Sequence, residues 1–425
     1  MPTPIPGPDH LTKDSVIEGF RTTPAAFTTD LVETYGDVVH LPFGDRDLFL
    51  ISHPDYIEQI FHGGEAFAKR KDLEAETSYI GQISGFSALL SGKKVADYAP
   101  AMTEAADRAH QRWQHLSHGS VDIYREMMRI TLDVETRTIF QVDVETLNED
   151  IPALLDALVK MEHSYGFNPI EALLGEFMQP LTPSAEEATA KATMLAFIEG
   201  VIAAFKATPQ ADTLLAMLIQ YMPPEAVAPQ ALTVFTAMHE VTATTLPWTW
   251  YLLSQAPEVA TKLQAELASV LGGRAATYDD LPALPYTHQV LMEARRLYPS
   301  VWLVGRFLRQ PVQFGDYTLP ENSVAMPSQW VMHHHSRYFP DPDRFDPERW
   351  TADAIASRPA FAYFPFSAGP RQCAGENFAE VQDVLILATL AQHWRAELVP
   401  GQTLVPVPQR SCAPRYGIQM TLHSR

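Results

Sequence analysis

Ten residues near the C-terminus, FSAGPRQCAG from Phe366 to Gly375, constrain this chain more than any other segment. They set Cys373 in a loop punctuated by Gly369 and Gly375, with Phe366 and Arg371 close by and a helix-like run from Glu376 onward. A glycine-bearing loop lets backbone N–H groups approach a sulfur atom. A helix starting just beyond it turns the positive end of its dipole toward that sulfur, which favours the thiolate. The Phe366 ring would keep water away. These surroundings favour a thiolate, and a single well-placed cysteine can be a metal ligand. The competing reading is a small buried cysteine without chemistry, which is common. Only two cysteines, Cys373 and Cys412, occur in 425 residues. So few exclude a disulfide framework and fit a reducing, cytoplasmic setting. Cys412 lacks comparable surroundings and reads as a core residue.

A formal net charge of −20 disfavours nucleic acid and anionic membrane surfaces as partners. The opening MPTPIPGPDHLTKDS has no basic start or apolar run of a secretory signal. No stretch approaches the roughly 18 uninterrupted apolar residues of a membrane span, so no transmembrane segment is expected. Residues 38–51 alternate in the manner of a β-hairpin, with GDRD at its turn. Residues 54–62 predict a helix that Pro54 starts. Residues 120–141 carry helical spacing, with Ser120 as N-cap. Residues 150–224 predict several helices, 228–256 a long apolar one, and 257–272 and 286–298 two more. Residues 311–330 turn to short strands, 337–350 to a Pro/Asp-rich meander, and 376–395 to a last long helix. The expectation is a mostly α fold with a minor β region, as one domain over residues 1–425. Its parts are a β-containing stretch over 30–90, a helical core over 91–300, and strands, meander and cysteine loop over 301–425.

The cysteine segment resembles the haem-binding signature of the cytochrome P450 family. Phe366, Gly369, Arg371, Cys373 and Gly375 fall at its fixed positions, while Ser367 stands where many members have glycine. The resemblance runs from about residue 30 to the C-terminus, with 150–225 matching only in helical character. It implies the cytochrome P450 fold, haem b with Cys373 as iron ligand, and Arg371 at a haem propionate. LPYTHQVLMEARRLYPS is similar to the family's K-helix and carries Glu293 and Arg296 at i, i+3. FPDPDRFDPERW is similar to its meander, with Arg349 in the matching place. The resemblance implies a structural Glu293–Arg296–Arg349 lock under the haem. Arg295 would point elsewhere, toward solvent.

Residues 231–253, ALTVFTAMHEVTATTLPWTWYLL, resemble the family's I-helix, whose core reads Ala-Gly-x-(Asp/Glu)-Thr-Thr. Here that core is Ala237-Met238-His239-Glu240-Val241-Thr242, so Met238 replaces the glycine and Val241 the threonine that accompanies the acid. In the family, that acid and alcohol deliver protons on the oxygen side. Ala237, Glu240, Val241 and Thr244 share one helix face, and Thr242 is rotated by about 100° from Val241. Thr242 reaches the oxygen side only if the helix is locally distorted. Pro247 favours this by freeing the Ala243 carbonyl. Glu240 and Thr242 are the catalytic candidates, with water or a substrate hydroxyl as alternatives. Thr242 reads equally well as a helix threonine bonded to the preceding turn. Glu240 carries the stronger argument, because a carboxylate in so apolar a helix is expensive to bury without a role. His239 reads as a satisfied neighbour.

The resemblance further implies Arg306 and His333 as haem contacts. Val95 and Ala99 stand where the family often has a propionate-binding Trp and Arg, which leaves Tyr98 or Lys94 as replacements. His333, His334 and His335 on an extended segment would alternate faces and could not close around a metal. The pocket wall is expected from Ile80, Phe86, Ala237, Val241, Val301, Trp302, Val304 and Ala413, an apolar set that favours a hydrophobic substrate. The reading is a monomeric monooxygenase that hydroxylates a carotenoid or terpenoid ring with O2. Its electrons would come from NAD(P)H through a ferredoxin or flavodoxin and its reductase. Two alternatives stand beside it. A peroxide-using P450 is motivated by Val241 and opposed by Glu240. A non-catalytic haem or gas sensor is weakened because no signalling segment is visible.

Overall fold

Prolines placed in first turns start many of the helices, where a missing N–H costs nothing and the fixed φ is already helical. A computed structural model describes residues 3–44, 46–68, 86–115, 119–147, 149–163, 184–209, 213–408 and 411–425. Helices α1 (Lys13–Thr22) and α2 (Pro24–Tyr35) precede a hairpin of β1 (Val38–Phe43) and β2 (Arg46–Ile51), paired from Val38↔Ile51 to Phe43↔Arg46. Then come α3 (Pro54–His62), β3 (Phe67–Ala68), α4 (Phe86–Leu89) and α5 (Gly92–Gln114). Strand β4 (Ser120–Asp122) leads into α6 (Ile123–Thr138), followed by α7 (Ile151–Glu162), α8 (Ala185–Ala207) and α9 (Leu214–Tyr221). Among the described residues the longest helix is α10 (Pro224–Gln255), and α11 (Pro257–Leu271) and α12 (Pro285–Leu297) follow it. Short strands β5 (Arg306–Leu308), β6 (Val312–Phe314), β7 (Tyr317–Leu319) and β8 (Val324–Pro327) lead to α13 (Gln329–His333). The meander ends in a 3-10 turn, Pro347–Trp350, before α14 (Ala352–Ala356) and, beyond the cysteine loop, α15 (Glu376–Ala391). Strands β9 (Trp394–Leu398), β10 (Pro406–Pro408), β11 (Cys412–Pro414) and β12 (Gln419–Ser424) close the chain.

The architecture is mostly α with a minor β region. One sheet has the order β1-β2-β8-β5-β3, and β2 and β8 run parallel although more than 270 residues separate them in sequence. A second sheet, β4-β12-β9, fastens the C-terminus to the start of α6. Helix α10 packs on α6, α8, α12 and α15. Its buried positions include Phe235, Leu246, Trp248 and Trp250. Among the described residues, α8 is long and apolar enough to cross a membrane. It is a bundle helix here, with Met194, Phe197, Ile198, Val201 and Phe205 buried against neighbouring helices.

Two expectations about local structure are corrected. Ser120 does not cap a helix over 120–141: it sits in β4, and Asp122 caps α6 by accepting from the Tyr124 N–H. The same carboxylate accepts from the Ile418 N–H, so pairing with the C-terminal strand decides where the helix begins. The three consecutive histidines are not extended. His333 ends α13 and His334 caps it, stacked on Trp330.

Candidate active site around Cys373

Nested turns shape the cysteine loop. Ser367 N–H donates to the Phe364 carbonyl, Gln372 N–H to Gly369, and Cys373 N–H to Phe366, the last at 2.9 Å. Gly369 has φ +70°, and a Cβ there would lie 2.2 Å from the Phe61 carbonyl oxygen at the end of α3. Only glycine fits on both counts. Ser367 also sits in the left-handed region, at φ +61°, which explains why glycine is the usual residue there. Gly375 caps α15, and its missing Cβ faces the Cys373 Sγ, 3.8 Å from where it would stand. The sulfur therefore lies over the positive end of a 16-residue helix.

Cys373 opens into a cavity of about 200 Å³. Val241 of α10 faces it from one side, and Ser300, Val301, Val304 and Arg306 come from the chain after α12. Gln329 enters from α13 and Arg295 from α12, while Pro365, Phe366, Ser367 and Arg371 come with the cysteine loop. Arg371 donates to the Phe67 carbonyl at 2.8 Å, and Arg306 donates to the Gly305 carbonyl with its guanidinium 5.6 Å from the centre of the Phe61 ring.

These residues fit haem. A cysteine over a helix N-terminus could supply the sulfur ligand, and the guanidinium groups of Arg306 and Arg371 border the cavity where they could meet the propionates. Both amide atoms of Gln329 and the Ser367 Oγ are buried on the cavity wall, with no hydrogen-bond partner among the described residues. Such groups call for a polar-edged occupant. Gln329 escaped sequence reasoning because a glutamine in PSQWVM carries no pattern. Only the tertiary position of α13 turns it inward.

Beneath the loop, Glu293 takes both Arg296 Nε and Nη2, at 2.8 and 2.9 Å, and both side chains are fully buried. Arg349 Nε lies 3.3 Å from the same carboxylate, which also accepts from Trp350 Nε1 and the Asp346 N–H. Arg296 continues to the carbonyls of His333 and Arg344. The buried His333 ring accepts from the Phe364 N–H at 3.2 Å. Burial and neighbouring charges hold it neutral by pushing its pKa well down. It thus supports the loop from below and does not line the cavity.

Arg295 is a correction. It is 3% exposed, not solvent-facing, and its guanidinium pairs with Asp383 of α15 at 2.7 Å while covering the Phe366 ring at 5.4 Å. Thr242 is the second. It is 2% exposed on α10 and does not line the cavity. Its hydroxyl instead supports the charged form of Asp383, whose pKa burial raises. Glu240 faces α6, where its charge adds to burial in raising the pKa of Glu135 and Tyr124. His239 sits 3.4 Å from Glu135 in the same buried region.

Other expected contacts scatter. Tyr98 is buried edge-on against Phe378, with burial pushing its phenol up to about 12, and is not on the cavity wall. Trp302 belongs to the N-terminal core cluster beside Phe20. Ala413 is buried in β11, Phe86 packs on the main core, and Ala237 is exposed on α10. Ile80 lies outside the described residues.

Residues 82–422 match the family model described as "Cytochrome P450". The chain is 29% identical over 402 residues to the protein named cyclooctatin synthase of Streptomyces melanosporofaciens, covering 89% of this chain and 86% of that one. It is 30% identical over 395 residues to the cyclooctat-9-en-7-ol 5-monooxygenase of the same organism, covering 87% and 84%. It is 25% identical over 418 residues to the pentalenene oxygenase of Streptomyces avermitilis, covering 90% and 89%.

Proposed function

The chain belongs to the cytochrome P450 family and is a P450 monooxygenase, and on that footing we propose that it hydroxylates a terpenoid or carotenoid ring, held against an apolar wall opposite Cys373. The observation that carries this reading is the meeting of Val241, Val301 and Val304 with Cys373 in one cavity. Bound haem b supplies the iron at which O2 is activated. Cys373 would ligate it, Arg306 and Arg371 would hold its propionates, and Gln329 would satisfy its amide on a polar edge. With haem in place, Phe366 would help to shield the sulfur from water. The valines orient an apolar ring by exclusion, because they offer no hydrogen bond. The substrate class draws support from two similar proteins named for a hydrocarbon and an alkenol, pentalenene and cyclooctat-9-en-7-ol. A separate ferredoxin or flavodoxin with its NAD(P)H reductase would supply the electrons.

A screen of terpenoid and carotenoid hydrocarbons and alcohols, read by the shift of the haem Soret band, tests the substrate class. Product analysis with a surrogate reductase pair completes it. No shift with either class, alongside shifts with fatty acids, would overturn it. A second reading, peroxide-driven turnover, is favoured by the valine at position 241 and by Thr242 facing away. Product formed with peroxide but not with reductase would select that reading.

A further inference from the structure

A monooxygenase takes O2, two electrons and two protons and returns one hydroxylated product and one water. The protons must reach the oxygen site across the cavity wall. On the α10 side that wall is Val241, which can neither donate nor accept. Thr242 is committed to Asp383, and Thr244 lies 3.0 Å from the Ser411 hydroxyl, away from the cavity.

Among the described residues of the wall, two carry hydroxyls, Ser300 and Ser367. Ser367 belongs to the cysteine loop, on the sulfur side. Ser300 lies in the stretch after α12, and its Oγ donates to the Val241 carbonyl at 3.2 Å. An alcohol therefore stands beside position 241, delivered from a different element of the fold. That carbonyl also accepts from Thr245 Oγ1 at 2.9 Å, which fixes it as an anchor.

We propose that Ser300 is a positioning residue for proton delivery in this enzyme. Its single proton is engaged by the Val241 carbonyl, so it presents lone pairs to the cavity. It accepts one O–H of a water, and the second O–H of that water points to the oxygen site. The water carries the proton, and Ser300 fixes where and in which direction. The inference rests on the monooxygenase reading. Wild-type protein with a thiolate-type ferrous-CO spectrum and reductase-driven product settles that reading before any variant is made.

The test compares Ser300→Ala, Ser300→Gly and Ser300→Thr holoenzymes with pentalenene as probe, and a surrogate ferredoxin and reductase. Two quantities are read: product per NAD(P)H oxidised, and the C–O stretching band of the ferrous-CO complex. Removing the hydroxyl is expected to lower product per NAD(P)H about tenfold, the size of one hydrogen bond in a barrier, with peroxide making up the difference. The same two variants are expected to shift the C–O band, because the oriented water no longer meets the bound ligand. Ser300→Thr keeps the hydroxyl and is expected to restore both readouts. Wild-type coupling and an unmoved band in Ser300→Ala and Ser300→Gly would overturn the proposal. So would a loss in Ser300→Thr equal to that in Ser300→Ala, which would show that shape and not the hydroxyl matters. A full loss in Thr242→Val with none in Ser300→Ala would return the role to α10.

Discussion

Arg295 Nη2 lies 2.7 Å from Asp383 Oδ2, and the two side chains are 3% and 0% exposed. The pair joins α12 to α15 directly beneath Phe366. Removing one member strands the other charge in the core. Arg295→Leu is therefore expected to destabilise the holoenzyme by about 3–5 kcal/mol in urea denaturation. The double variant Arg295→Leu/Asp383→Leu should recover most of that loss. Equal stability of Arg295→Leu and wild type would show that Asp383 is protonated and needs no partner.

Arg296→Leu is expected to be more severe. Glu293 would keep Trp350 and the Asp346 N–H but lose its bidentate partner, and the carbonyls of His333 and Arg344 would lose their donor. Haem content of purified protein, read from the Soret-to-protein absorbance ratio, should collapse together with soluble yield. A variant that folds, keeps haem and loses only turnover would contradict the structural role.

Ser367→Gly is expected to stabilise. The native residue holds φ +61° with a buried hydroxyl that lacks a partner among the described residues. A left-handed L-residue costs about 1–2 kcal/mol that glycine avoids, so a gain of about 1 kcal/mol is expected. Calorimetric melting of the holoenzyme checks it. A lower melting temperature would show that the hydroxyl bonds to the bound cofactor.

His334 gives the protein an acid-sensitive limb. Burial lowers its pKa to about 4, against the backbone bond to Trp330 that favours the charged form. The unfolded chain takes up this proton near pH 6.5 and the folded one only near 4. Stability from this group is thus complete above pH 6.5 and is lost as pH falls through that window. The buried His333 shifts in the same direction. In His334→Gln the fall in melting temperature between pH 6.5 and 4 should be shallower than in wild type. An identical slope would exclude His334 as a source.

Signals confined to one element were legible in the sequence. Pro54 starts α3 where expected, and the alternation over 38–51 gives the β1–β2 hairpin. The Cys373 loop could be read because two of its requirements are local, a positive φ at Gly369 and a helix start at Glu376, whereas its seat on Phe61 and Phe67 is not. The misread residues take their meaning from partners far away in sequence. Arg295 has the composition of a surface residue until Asp383, 88 positions on, arrives beside it. Thr242 reads either as a proton carrier in a distorted α10 or as a helix threonine bonded to the preceding turn, and its hydroxyl instead meets Asp383, 141 positions on. Ser300 and Gln329 were missed for the same reason, since each is defined only by the cavity it faces.

The contact between Gly369 and the Phe61 carbonyl sets an order of events during synthesis. The cysteine loop rests on the end of α3, and Arg371 reaches the carbonyl of Phe67, so its seat is built more than 300 residues earlier in the chain. Contacts of such long span form late, because the loop they close must be paid for in entropy first. A chain emerging N-terminus first presents the seat long before its occupant exists. The loop that presents Cys373 therefore takes its final shape only once the first and last quarters of the chain have found each other.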